Sequence, residues 1–245
     1  PMTTAPDWSK SSSCAVCGSY KPSEDLSFTP ISDGKAYQVH GMGNCKDTVI
    51  VIPDTHKGLP VVSIREHAFY NEPEITRVVL CEGITTIGPY AFGACTSLTS
   101  VTFPTTLTSI GEGAFERCTA LSQINELGKV TAIEPSAFAH CPSLTSVIFP
   151  SVQTIGNLAF SGCTSLQAVD LPSSTRAIGQ GAFARCTGIR SIAIPAGVTL
   201  IGDEAFSYCS ALTSLTVDEG NTVYRSVDHC IIDIQNKRLI AGCST

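Results

Sequence analysis

The chain is poor in charge. Of its 245 residues only 15% are Asp, Glu, Lys or Arg against 43% hydrophobic, which argues against a disordered chain and leaves ample apolar material for a continuous core. Lys and Arg form no cluster and the formal net charge is −6, so no basic face is offered to a phosphate backbone and nucleic acid is excluded as a partner class. Long hydrophobic runs are missing as well. The longest aliphatic stretch, "VIVI" at 49–52, falls far short of the roughly 20 residues a membrane-spanning helix needs, so no transmembrane segment is expected. The opening "PMTTAPDWSKSSS" has neither a basic region nor an apolar one behind it. Any secretion signal is expected to have been removed, and its absence does not place the chain in the cytosol.

Catalytic signatures are also lacking. There is no G-x-S-x-G, no phosphate-cradling G-x-x-x-x-G-K-[ST], no H-E-x-x-H and no EF-hand loop. The five histidines, at 40, 56, 67, 140 and 229, are scattered over caps and turns, and the carboxylates are equally dispersed. Neither an enzyme nor a cofactor is expected.

What the chain does contain is repetition. Ala-Phe pairs recur at 68–69, 91–92, 114–115, 137–138, 159–160, 182–183 and 205–206, a spacing of 23 residues broken by one step of 22. Five residues before each phenylalanine stands an isoleucine, from Ile64 to Ile201, without exception. Aliphatics follow six and nine residues after it in every unit, and at the eleventh only Glu126 departs from the apolar pattern. The result reads L-x-x-L-x-L, whose closing alternation predicts a short strand with one buried face. Strands that return at this interval with no reverse turn between them must stack in parallel, as coils of a solenoid. Prolines such as Pro104 and Pro150 end the strands, and a glycine after the isoleucine in five units marks a second turn. At Glu126 and Leu127 a local bulge or a shifted strand edge is expected.

Twelve cysteines are present, and six of them, Cys95, Cys118, Cys141, Cys163, Cys186 and Cys209, occupy one column three residues after the phenylalanine. Stacked coils would set them about 4.8 Å apart, within the disulfide range of backbone distances, but side chains in one column point the same way, so bridging is disfavoured. A metal wants four converging ligands and a nucleophile wants a partly exposed thiolate beside a base. Packing as buried free thiols is the reading that remains. "CAVCG" at 14–18 is different: Cys14 and Cys17 have the form of a zinc half-site without an obvious second half, although His40 and Cys45 could be borrowed. A small local disulfide or the remnant of a preceding module are the alternatives. Cys45, Cys81, Cys230 and Cys243 are open between pairing and remaining free.

The segment "CTSLTSVTFPTTLTSIGEGAF" resembles the BspA-type leucine-rich repeat, a family found largely in secreted and surface proteins of bacteria and some protists. The likeness spans roughly residues 26–245. Its lead-in is "YQVHGMGNCKDTVIVIPDTHKGLPVVSI", and "GNTVYRSVDHCIIDIQNKRLIAGC" resembles the longer repeat that interrupts or closes such arrays. The expected fold is therefore a right-handed leucine-rich-repeat solenoid of ~23-residue coils with one short parallel strand each and little helix. Four parts are expected: a tail at 1–25 carrying the C-x-x-C-G, an N-terminal cap with lead-in strands at 26–66, seven coils at 67–217, and an atypical closing repeat at 218–245. The family resemblance implies a non-catalytic binding module, secreted or at the cell surface, that adheres to a protein or glycan ligand on a host cell or matrix. The other reading is a structural spacer that presents a further domain of a longer protein, since the array breaks off at "GCST". Contacts are expected on the strand face, at offsets seven, eight and ten from each phenylalanine. Small hydroxyls such as Thr99, Ser100 and Thr102 dominate there, and Val79 falls among these outward positions. Arg77, Gln123, Asn125, Ile148, Asp170 and Arg190 break that monotony and are the candidate contact residues.

Overall fold

The computed structural model describes residues 22–242 and winds them into a β-solenoid. The Phe-x-x-Cys edge and two sheet-forming sides enclose one continuous core of Ile, Leu, Val, Phe and Cys. Cys14, Cys17 and Cys243 lie outside the described residues, and so does most of the expected 1–25 tail.

The strands anticipated from L-x-x-L-x-L form at Arg77–Leu80, Ser100–Thr102 and Gln123–Ile124, preceded by Val49–Ile52, all parallel and in register. After an interval without strand they resume as Ser191–Ile194 and Ser214–Val217. The expectation of one strand per coil needs correction, because a second parallel sheet runs through the coils, including those that form no strand at L-x-x-L-x-L. Two-residue strands at Thr86–Ile87, Ser109–Ile110, Ala132–Ile133, Thr154–Ile155, Ala177–Ile178 and Leu200–Ile201 place the invariant isoleucines side by side in a second parallel sheet. At its N-terminal side this sheet continues through Leu59–Ile64 into Ala36–Gly41, which pairs antiparallel with Ser27–Ile31. Two residues are too few to show alternation, so only the invariant isoleucine hinted at them.

The glycine after the isoleucine does more than mark a turn. A Cβ on Gly88 would lie 2.5 Å from the Glu66 nitrogen, and one on Gly179 would lie 2.6 Å from that of Asn157. Successive backbones approach too closely here for any side chain.

On the edge formed by the Phe-x-x-Cys segments, each coil places two residues in the left-handed region, two before and two after the phenylalanine. Most are not glycine: His67, Asn71, Tyr90, Ala94, Arg117, Leu158 and Tyr208 all have φ between 52° and 60°. Such a conformation costs roughly 1–2 kcal/mol per non-glycine residue. Main-chain bonds between coils offset it. The amide of each column phenylalanine from Phe69 to Phe183 donates to the carbonyl of the alanine in the next coil at 2.7–2.8 Å. Among the described residues no helix forms, in keeping with a segment too short to sustain one.

The C-terminal end is closed by polar side chains aimed at main-chain groups. Towards the C-terminus Asn221 is buried; its amide donates to the Pro195 and Val198 carbonyls and its oxygen accepts from the amides of Val223 and Tyr224. The Tyr224 hydroxyl accepts from the Ile201 amide at 3.0 Å, at the last strand of the isoleucine sheet. An antiparallel sheet of Tyr224–Val227, Cys230–Asp233 and Arg238–Gly242 follows.

Candidate interaction surfaces

The cysteine column is buried throughout, as expected of packing residues. Each thiol also donates a hydrogen bond between coils: Cys95 Sγ to the Phe69 carbonyl, Cys118 to Phe92, Cys141 to Phe115, Cys163 to Phe138, Cys186 to Phe160 and Cys209 to Phe183, all at 3.1–3.2 Å. At Phe92, Phe115, Phe160 and Phe183 the same carbonyl also accepts the amide of the cysteine in its own coil. The phenyl rings beside them stack from Phe69 to Phe206, with centroids 5.0–6.0 Å apart and planes within 9°. A slot that must be small, apolar and a donor suits cysteine better than alanine or serine. Burial pushes the Cys95 thiol up to about 12 and Cys209 up to about 11, and it raises the four between them as well. At neutral pH these buried groups stay protonated, unlike the partly exposed thiolate that a nucleophile requires. Among the described residues no three His, Cys, Asp or Glu side chains cluster as metal ligands would.

On the strand face the hydroxyls seven residues after each phenylalanine are occupied. Thr99 Oγ1 donates to the Thr76 carbonyl at 2.8 Å, Ser122 Oγ to Thr99, Thr145 Oγ1 to Ser122 and Thr213 Oγ1 to Arg190. Similar ladders run at Thr85 and Thr108 and at Thr119 and Ser143. These hydroxyls stitch one coil to the one before, a role that β-propensity alone does not describe. Val79 does not point to solvent: it is 1% exposed and packs with Val51 and Cys81 in a small second cluster. Nearby, Ser23 exchanges hydrogen bonds with Val51. Sequence alternation marked the face correctly but not what lies over it.

All six candidate contact residues are exposed, Ile148 to 60%. They fall into three places. Arg77 and Gln123 share a register row with Ser100 on the first block of strands. Asn125 is engaged elsewhere, because its side-chain oxygen accepts the Phe103 amide at 2.7 Å and its nitrogen donates to the Phe103 carbonyl at 3.0 Å. The asparagine side chain thereby replaces the strand's own pairing, and the block ends there. The strand stops at Ile124, short of Glu126 and Leu127, where a bulge or a shifted strand edge was expected.

Ile148 and Asp170 sit in the interval without strand, and Arg190 stands at its far side. The Ala168–Leu171 segment and the strand Ser191–Ile194 exchange no main-chain hydrogen bond. Between them lies a shallow groove of about 200 Å³ whose lining includes Asp170, Ala168, Ser191, Ala193, Ser214 and Thr216. A second hollow, of about 580 Å³, lies at the N-terminal cap beside Phe28 and His56, whose rings stack at 4.0 Å. The sequence reading singled out neither.

The model of the BspA-type leucine-rich repeat region matches residues 62–151 and 131–228, in six copies. No curated protein matches the chain significantly. Among solved structures, a leucine-rich cell surface protein from Faecalibacterium prausnitzii A2-165 is similar at 33% identity with a TM-score of 0.80, over 90% of this chain and 59% of that one. A leucine-rich repeat protein from T. pallidum matches at 28% identity and a TM-score of 0.71, over 78% of this chain and 90% of that one. One from Bacteroides ovatus ATCC 8483 matches at 28% identity and a TM-score of 0.72, over 82% of this chain and 53% of that one. The chain thus spans between half and three fifths of the Faecalibacterium and Bacteroides proteins. Repeat columns, solenoid and family model agree: the chain belongs to the BspA-type leucine-rich repeat family.

Proposed function

We propose that the chain is a non-catalytic binding module of a secreted or surface protein, and that it meets a protein or glycan partner through its strand face. The carrying observation is the groove at Asp170, within the interval where the strand-face ladder lapses, a recess with one carboxylate, several hydroxyls and small side chains. Backbone groups without a ladder partner and a concave polar lining are what an incoming chain or sugar can use. The surface description printed for the Faecalibacterium relative supports the location. A spacer role is the competing reading, in which the strand face touches nothing.

The test is a pull-down from host-cell surface and extracellular matrix with this chain and with a variant carrying alanine at Arg77, Gln123, Asp170 and Arg190. Capture by the parent chain and its loss in the variant support the binding module. Capture by neither rejects it in favour of the spacer. Because these four side chains are exposed, the variant is expected to melt within about 1 kcal/mol of the parent.

A further inference from the structure

The Phe-x-x-Cys edge carries a second surface, away from the strand face. The His67 and Tyr90 rings stack at 5.4 Å with planes 15° apart, and Tyr70 meets His67 edge-on at 5.4 Å. Each tyrosine is seated on a glycine of the next coil. A Cβ on Gly93 would lie 3.0 Å from the Tyr70 ring, and one on Gly113 would collide with that of Tyr90. The Tyr90 hydroxyl donates to the Glu112 carboxylate at 3.0 Å, and the charges of Glu112 and Glu116 both act on that phenol. Tyr70 is 50% exposed.

His67 is exposed and Tyr90 half-buried, so the cluster lies at the surface of the edge. The same edge shows what its rings accept: near the other end the Arg185 guanidinium lies 5.4 Å from the centre of the Tyr208 ring.

We propose that the His67–Tyr70–Tyr90 cluster, with Glu112 and Glu116 beside it, is a docking site for a cationic side chain, guanidinium or ammonium, of a partner protein. The half-exposed Tyr70 ring supplies cation–π attraction and the two carboxylates supply the complementary charge. Arg117, which pairs with Glu116 at 3.6 Å, is an internal cation that an incoming one would displace or join.

Isothermal titration with acetyl-tetraarginine amide tests it, with tetraglutamate and maltotetraose as comparison ligands. Tetraarginine is expected to bind; Tyr70→Ala should weaken it roughly threefold, the size of an exposed cation–π contact, while Tyr70→Phe retains it. Glu112→Gln combined with Glu116→Gln should weaken binding further and flatten its salt dependence. The strand-face variant of the preceding section should bind tetraarginine as the parent does, so the two proposals fail separately. Thermal melts of Tyr70→Ala confirm that the coil is intact. Absence of tetraarginine binding, equal binding by a folded Tyr70→Ala variant, loss of binding only in the strand-face variant, or a preference for maltotetraose would each overturn the assignment.

Discussion

The Phe-x-x-Cys edge and the strand face are built from the same repeats, yet only the edge keeps its regularity through every coil. The one-residue shortening between Phe138 and Phe160 passes without effect on the ring stack, where Phe138 and Phe160 are 5.5 Å apart and 2° from parallel. The strand face absorbs the irregularity, losing strand between Ile124 and Ser191. The reason is the number of independent ties. On the edge, ring stacking, the thiol-to-carbonyl bond and the main-chain ladder all require the same register. On the strand face, hydroxyl and main-chain bonds can lapse locally while Val147, Val169 and Ile192 stay buried. Register is thus held at the edge, and variation is tolerated on the strand face.

The largest effect expected from breaking that comparison comes from Cys163. Replacing it with Asp should cost on the order of 4–5 kcal/mol at neutral pH, whereas Cys163→Ala should cost about 1–2 kcal/mol, the lost S–H donor and a small cavity. Urea melts separate the two. The buried Asp carboxyl would have its pKa raised in the folded state, so the penalty should shrink as pH falls toward the unfolded carboxyl value.

Alkaline pH attacks the whole edge at once. The folded Cys95 pKa is raised from 9.0 to about 12, so its contribution is complete below pH 9 and is lost as the pH rises through that window. The melting temperature should fall over this range, and less steeply in Cys163→Ala, which has one column thiol fewer to ionise on unfolding.

On the strand face, Asn125→Ala should cost about 1–2 kcal/mol, because it leaves both main-chain groups of Phe103 without their partner. Asp170→Ala, at an exposed position in the irregular interval, should fall within about 0.5 kcal/mol of the parent. A smaller gain is expected at Leu158, which is exposed in a left-handed slot with φ of 57°: Leu158→Gly should stabilise by somewhat less than 1 kcal/mol, the relief of strain less the entropy of glycine. A destabilised Leu158→Gly melt would show that the slot carries no strain.

The solenoid, its period and its core columns were legible because each recurs in seven units at fixed spacing. The end of the first strand block near Asn125 was legible as Glu126 in an apolar slot. Other features were not. The thiol and hydroxyl ladders join atoms 22–26 residues apart, and nothing about Cys163 or Thr99 alone names a carbonyl in the previous coil. The left-handed slots hide because His67, Tyr90 and Leu158 are residues that rarely signal that conformation. Val79 was misread as outward-facing because alternation shows which side a residue takes and not whether another segment covers it.

Hydrogen exchange resolved by residue tests the central claim most directly. The amides of Phe92, Phe115, Phe138, Phe160 and Phe183, each bonded to the next coil, should exchange only through global unfolding, whereas those of Val169 and Leu171 should exchange by local opening, on the order of a hundredfold faster or more. Equal protection at the two sites, or faster exchange at the phenylalanine column, would contradict the assignment of register to the Phe-x-x-Cys edge.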